Sequence, residues 1–212
     1  AEEGLHNPQS QSWWPRLEAA VDWFARKESE RIKAGGQRPL FLEKEGRAVL
    51  YKDEATGRHF SVTAKADRID LDDAGTVKVM DYKTGKADTH ISKIKKGTSV
   101  QLPLTGFILQ QGGFENTSYE ISDLQYWQLS GGYKDPCAVY SVSPEKDEDI
   151  TDVIASIRDY IGAVVEVFEK EETPYISVPD PDRELPEKFQ DYAHLARLRE
   201  WRNEDENAGE AA

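Results

Sequence analysis

Residues Ala66–Lys86 read ADRIDLDDAGTVKVMDYKTGK, and the way this stretch pairs with itself decides the fold. Two runs with strand composition flank Asp73-Ala74-Gly75. A three-residue hairpin loop places a left-handed residue last, and Gly75 takes that conformation without steric cost. Asp72 then pairs with Thr76, and counting outward sets Asp67 opposite Asp81. Side chains alternate along a strand. One face therefore reads Lys65, Asp67, Ile69, Leu71 on the first strand and Val77, Val79, Asp81, Lys83 on the second. The turn end of that face is apolar and suits a core. Its far end holds two carboxylates with a lysine just beyond. A two-residue loop would instead put the two aspartates on opposite faces.

Working outward, residues from about Trp13 to Lys33 carry Trp14, Leu17, Val21 and Phe24 at helical spacing, with Ser12 as N-cap and AGGQRP as a stop. PLFLEKEGRAVLY and RHFSVTAKADRIDL are strand-like runs separated by KDEATG, and TVKVMDYK follows the hairpin loop. TSVQLPLTGFILQQGG reads as a helix starting at Thr98 or Ser99 and ending at Gly112-Gly113. YEISDLQYWQL and CAVYSVS alternate like strands. A long amphipathic helix places Ile150, Val153, Ile157, Ile161 and Val164 on one face. A Pro-rich connector, a short helix YAHLARLREW and an acidic tail with the composition of disorder complete the chain. The order α-β-β-β-α-β-β-α specifies an α/β (α+β) domain with a central mixed sheet flanked by helices. No internal repeat is visible.

The chain has 212 residues, 38% apolar and 32% charged, with a net charge of −13. It is long enough for one cored domain. That charge argues against holding nucleic acid by bulk electrostatics, while leaving room for a local basic patch such as KTGKADTHISKIKKG. No apolar run is long enough to cross a bilayer. AEEGLHNPQS lacks the basic and apolar regions of a signal peptide. The first residue is not Met, which suggests a fragment or a processed chain. The single Cys137 rules out an internal disulfide and a multi-cysteine zinc or iron–sulfur site. It suits a reducing cytoplasm.

Like charges directly opposite on a sheet destabilise it, so a half-buried Asp67–Asp81 pair calls for a cation. Oxygen-only ligands favour Mg²⁺ or Mn²⁺. Lys83 beside such an ion could orient water and stabilise charge developing on a phosphate. The bland alternative is a solvated hairpin with Asp81 and Lys83 as a surface pair; the apolar company of Ile69, Leu71, Val77 and Val79 favours a site. DLDDAGTVKVMD also has carboxylates at some EF-hand positions, but Ala74 stands at the fifth, Asp at the last, and strands replace the helices. KTGKAD lacks the upstream glycine and the hydroxyl residue of a phosphate-binding loop.

With GTSVQLPL after it, this stretch resembles the RecB-type branch of the PD-(D/E)XK nucleases. It is most similar to the C-terminal nuclease domains of AddB subunits in helicase–nucleases of the α-proteobacterial kind. WWPRLEAAVDWF, YWQLSGG and YAHLARLREW extend the resemblance over most of the chain. The resemblance implies a restriction-endonuclease-like core over residues 1–172, with residues 173–212 as connector, docking helix and tail. It implies Asp67 and Asp81 as metal ligands, with the Tyr82 carbonyl as a further contact, and Lys83 and Gln101 as catalytic residues. The cofactor implied is Mg²⁺, with Mn²⁺ as a substitute. The partners implied are DNA and an AddA-type helicase–nuclease subunit, in recombinational double-strand break repair in the cytoplasm.

Three departures accompany it. Thr105 stands where a tyrosine often follows the glutamine. One cysteine leaves no iron–sulfur cluster. No histidine or glutamate is evident on the N-terminal helix to reach the metal, so that helix is expected upstream of residue 1. Glu18 and Glu28 read as helix-surface charges, and Glu43 as a supporting group at most. Lys86, Lys93, Lys95 and Lys96 form a loop after the site for which solvation and phosphate contact are equally open readings. His59, His90 and His194 are scattered singly. Trp13, Trp14, Trp127 and Trp201 suit core or docking roles better than base stacking. The fragment is expected to be monomeric. A DNA-binding or scaffolding domain without catalysis, and a structural metal-binding module, are the competing functions.

Overall fold

The computed structural model describes residues 8–34, 36–85, 91–134 and 137–174. The chain divides into two compact units, Ala1–Glu166 and Val167–Ala212. Beyond residue 174, the connector, the final helix and the tail lie outside the described residues. So do Lys86, His90, His194 and Trp201.

The elements in order are α1 (Pro8–Ala34), β1 (Gln37–Lys52), β2 (His59–Asp72), β3 (Thr76–Lys83), α2 (Ile91–Lys95), α3 (Gln101–Gln110), β4 (Glu120–Gln128), β5 (Ala138–Ser141) and α4 (Ile150–Phe168). The strands form one sheet in the order β1-β2-β3-β4-β5. Neighbours are antiparallel except β3 and β4, which run parallel. A parallel pair needs a crossover, and α3 lies within it. This is the mixed sheet with flanking helices that the element order specifies.

The hairpin loop is as the sequence requires. Arg68 pairs with Met80, Ile69 with Val79, Asp70 with Lys78 and Leu71 with Val77, the register that a three-residue loop sets; the ladder ends at Arg68–Met80, one pair short of the expected Asp67–Asp81. Gly75 has φ of 85°. Asp72 braces the turn by accepting the N–H groups of Ala74 and Thr76 and the Thr76 hydroxyl.

The main apolar cluster joins one sheet face to α3 and α4. Ile69, Val77, Val79 and Leu124 meet Leu102, Phe107, Ile108, Val153, Ile154 and Ile157 there. Helix α3 comes so close to α4 that a Cβ on Gly106 would sit 2.8 Å from Ile154 Cδ1. Val153 and Ile157 of the expected α4 face are buried, Ile150 and Ile161 pack at the edge, and Val164 is exposed.

Three expectations need correction. Helix α1 starts at Pro8 and runs through Pro15, so Ser12 is not its cap. Its apolar row faces outward: Trp14, Leu17 and Val21 are all more than two-fifths exposed, and Ala20 is buried instead. The sheet face under α1 explains this, since it carries charge as well as aromatic rings. Helix α3 begins after Val100, with no side-chain cap, because Thr98 closes the preceding α2 turn by donating to the Lys93 carbonyl. Finally, the core-facing positions of β2 change from odd (Ile69, Leu71) to even (Ala66, Ala64, Val62). The change falls at Asp67, beside Glu43, whose φ is 49°. Lys65 is therefore turned out to solvent rather than sharing the face of Ile69.

Candidate active site

Asp81 and Lys83 sit at the C-terminal end of β3, Asp67 on the neighbouring β2, and Gln101 at the first turn of α3. Asp67 leaves the regular ladder: its Oδ2 accepts the main-chain N–H of Tyr82 at 2.8 Å. The Gln101 amide bridges the other two residues. Its Nε2 donates to Asp81 Oδ1 at 2.6 Å, and its Oε1 accepts from Lys83 Nζ at 2.9 Å. The Lys83 ammonium lies 2.7 Å from Asp81 Oδ2. The structure thus brings Asp67, Asp81, Lys83 and Gln101 together where β2 and β3 part.

Asp81 is only 4% exposed. Burial pushes its pKa above the ordinary carboxylate value, Lys83 opposes that shift, and the nearby Asp67 charge adds to it. Asp81 Oδ2 is buried, and the Lys83 ammonium meets it at 2.7 Å. A buried carboxylate with a raised pKa beside a second carboxylate is an all-oxygen donor set that fits a hard divalent cation. Asp67 and Asp81 are the side chains to hold one. Among the described residues, no three carboxylate, histidine or cysteine groups converge, so the remaining positions would belong to water or main-chain oxygen.

Other residues singled out in the sequence are placed elsewhere. Glu43 pairs with Lys65 at 2.6 Å on the exposed side of the hairpin. Its hydrogen bond, and then its charge, raise the Lys65 pKa, with Glu45 and Asp67 adding to the shift. Glu18 accepts from the Trp14 indole. Lys95 is tied to Glu148 at 2.7 Å and Glu145 at 3.0 Å, which accounts for its charge within the fold. Lys93 and Lys96 are exposed around the end of α2. Thr105 is buried, and its hydroxyl donates back to the Gln101 carbonyl at 2.9 Å, so the position often held by tyrosine here steadies the helix turn that carries Gln101. Trp127 is buried rather than available for stacking.

Glu28 is not a surface charge. It reaches Arg68 at 3.0 Å and Arg31 at 2.7 Å under α1. Arg68 in turn grips Asp70 with Nε at 2.6 Å and Nη2 at 2.9 Å. Arg31 also bonds Asp70. The sequence holds two faint signals of this network: Arg68 and Asp70 two apart on one strand face, and Glu28 and Arg31 three apart on a helix.

No match was found among curated proteins. The family model described as PD-(D/E)XK nuclease superfamily matches residues 2–208. That match spans nearly the whole chain and agrees with the mixed five-stranded sheet flanked by helices, so the chain belongs to the PD-(D/E)XK nuclease superfamily.

Proposed function

We propose that this chain is a Mg²⁺-dependent deoxyribonuclease domain, with Mn²⁺ as a substitute, that acts as an exonuclease within a helicase–nuclease complex. The observation that supports the metal site is the buried Asp81 carboxylate beside the Asp67 charge. A divalent cation, when bound, would polarise the scissile phosphate and acidify a water. Asp67 and Asp81 would hold it, aided by the Tyr82 carbonyl. Lys83, with its side chain 36% exposed, would present its ammonium to a phosphate oxygen and stabilise charge developing there. Gln101 keeps Asp81 and Lys83 at fixed spacing, so that neither drifts from the reacting group.

The remaining assignments rest on resemblance. They are an AddA-type partner, recombinational repair of double-strand breaks and a cytoplasmic setting. The charge of −13 supports a partner that delivers DNA, since free DNA would be repelled. The outward row of Trp14, Leu17 and Val21 supports a macromolecular partner as well. Lys93 and Lys96, and Lys86 outside the described residues, remain candidates for phosphate contact; Lys95 is a weaker one because two glutamates already hold it.

The test is cleavage of linear DNA with Mg²⁺ and with chelator, by the chain alone and with its helicase partner. Asp81→Ala and Lys83→Ala should each abolish cleavage while the fold persists. Normal cutting by either variant would refute the catalytic assignment. Metal binding without any cleavage would favour the structural-module reading, and DNA binding without cleavage the scaffold.

A further inference from the structure

Behind the carboxylate pair, on the sheet face under α1, lies a closed set of two guanidinium and two carboxylate groups: Glu28, Arg31, Arg68 and Asp70. The Asp70 side chain is fully buried, and those of Arg68, Arg31 and Glu28 are 9%, 15% and 19% exposed. Arg31 also donates to Gln37 Oε1 at 2.7 Å and stands over the Trp127 ring at 5.2 Å. Burial works against the Arg68 charge, yet the hydrogen bonds with Asp70 and Tyr82 outweigh it and raise its pKa.

Such a network contributes little net stability, because desolvating four charges offsets their attraction; apolar residues of similar volume often serve as well or better. Its value lies in what it forbids. Arg68 and Asp70 share one face of β2, so Asp67 and Ile69 take the other. A slip of one residue would drive both charges into the apolar α3 side, unpaired, at large cost. The position is also specific. Arg68 with Met80 is the last bridged pair of the hairpin before Asp67 departs to the Tyr82 N–H. Arg68 Nη1 is 3.5 Å from the Tyr82 hydroxyl, and Tyr82 stands between Asp81 and Lys83.

We infer that Arg68 is a positioning residue: with Glu28, Arg31 and Asp70 it pins β2 and β3 at the point where they part, and so sets the Asp67 carboxylate on the Tyr82 N–H and beside Asp81. The consequence for metal binding rests on the nuclease reading; the consequence for the Asp67–Tyr82 bond does not.

The experiment uses the 212-residue chain in two altered forms. One is the apolar replacement Glu28→Leu, Arg31→Met, Arg68→Met, Asp70→Leu. The other is Arg68→Lys, which keeps the charge and loses the planar fork. Three quantities are read: the melting temperature, the hydrogen-exchange rate of the Tyr82 amide and the Mn²⁺ affinity by calorimetry. The apolar form should melt at or above the parent temperature, exchange the Tyr82 amide at least tenfold faster and bind Mn²⁺ at least tenfold more weakly. Arg68→Lys should remain folded and move the last two readings in the same direction by a smaller factor. A folded apolar form with parental Tyr82 exchange and Mn²⁺ affinity overturns the inference. If the apolar form does not fold, parental Tyr82 exchange in Arg68→Lys overturns it instead. Should the parent chain bind no Mn²⁺ while Tyr82 exchange still responds, the positioning role stands and the nuclease reading is what fails.

Discussion

At the residue scale, Asp81 is held against its own preference. Its carboxylate is buried, its pKa is raised chiefly by that burial, and the Asp67 charge adds to the shift. Lys83 and Gln101 compensate in part. A group with a raised acid pKa binds its proton more readily in the folded state than in the unfolded one. Its contribution therefore falls as pH rises from the ordinary aspartate value of 3.8 through the raised folded value, and the destabilisation is complete above that. Asp81→Asn removes this effect. The variant should equal or exceed the parent in metal-free stability at neutral pH, its advantage should shrink as pH falls through that window, and Mn²⁺ binding should be lost. Urea unfolding across pH, paired with calorimetry, checks both parts. A variant clearly less stable at neutral pH would show that the Asp81 carboxylate is a structural member of the fold.

At the element scale, α1 is the piece that the sequence misrepresents. Its row of Trp14, Leu17 and Val21 looks like a buried stripe, yet the helix turns Ala20, Trp23, Phe24, Glu28 and Arg31 inward. Trp23 and Phe24 each meet the Trp127 ring edge-on at 5.8 Å. The loop after β4 fixes the other end of the contact, because a Cβ on Gly131 would collide with the Arg16 carbonyl oxygen, and φ there is 60°. Gly131→Ala therefore confronts rigid backbone and must push α1 away. Hydrogen exchange should rise across the first half of α1, while the β2–β3 hairpin keeps its protection and the melting temperature drops by several degrees. Unchanged exchange in α1 would mean that the loop yields rather than the helix.

At the scale of the whole molecule, the charge distribution limits what the chain does alone. Its net charge is −13, and several of its cations are spent within the fold: Arg68 and Arg31 behind the site, Lys95 on two glutamates, Lys65 on Glu43. DNA affinity by phosphate neutralisation grows with the number of cations engaged, and so does its salt dependence. The isolated chain should bind duplex DNA weakly, with a shallow slope of affinity against salt, and its cleavage should rise once a partner supplies a basic track. Fluorescence anisotropy across a salt series measures this. Tight binding with a steep slope would reveal a basic surface that the described residues do not display.

Much of the hairpin was legible because its determinants are local. Asp73-Ala74-Gly75 and the alternation of Ile69, Leu71, Val77 and Val79 specify the turn and the register as far as Arg68 and Met80, since strand neighbours close in sequence are set by turn geometry. The same local reading located the lysine two residues beyond Asp81, whereas Gln101 at the first turn of α3 came only from the family resemblance. It did not reveal that Asp67 abandons the ladder for the Tyr82 N–H, that the core-facing side of β2 switches there, or that Glu28 and Arg31 meet Arg68 and Asp70. Those depend on which face α1 covers, and a helix with apolar residues on more than one side does not announce that in its periodicity. Residues 28 and 68 come together only when the sheet and the helix pack. The carboxylate pair thus belongs to the sequence, and its burial and bracing belong to the tertiary structure, because a charge is strongly perturbed only where solvent has been excluded by parts of the chain remote from it.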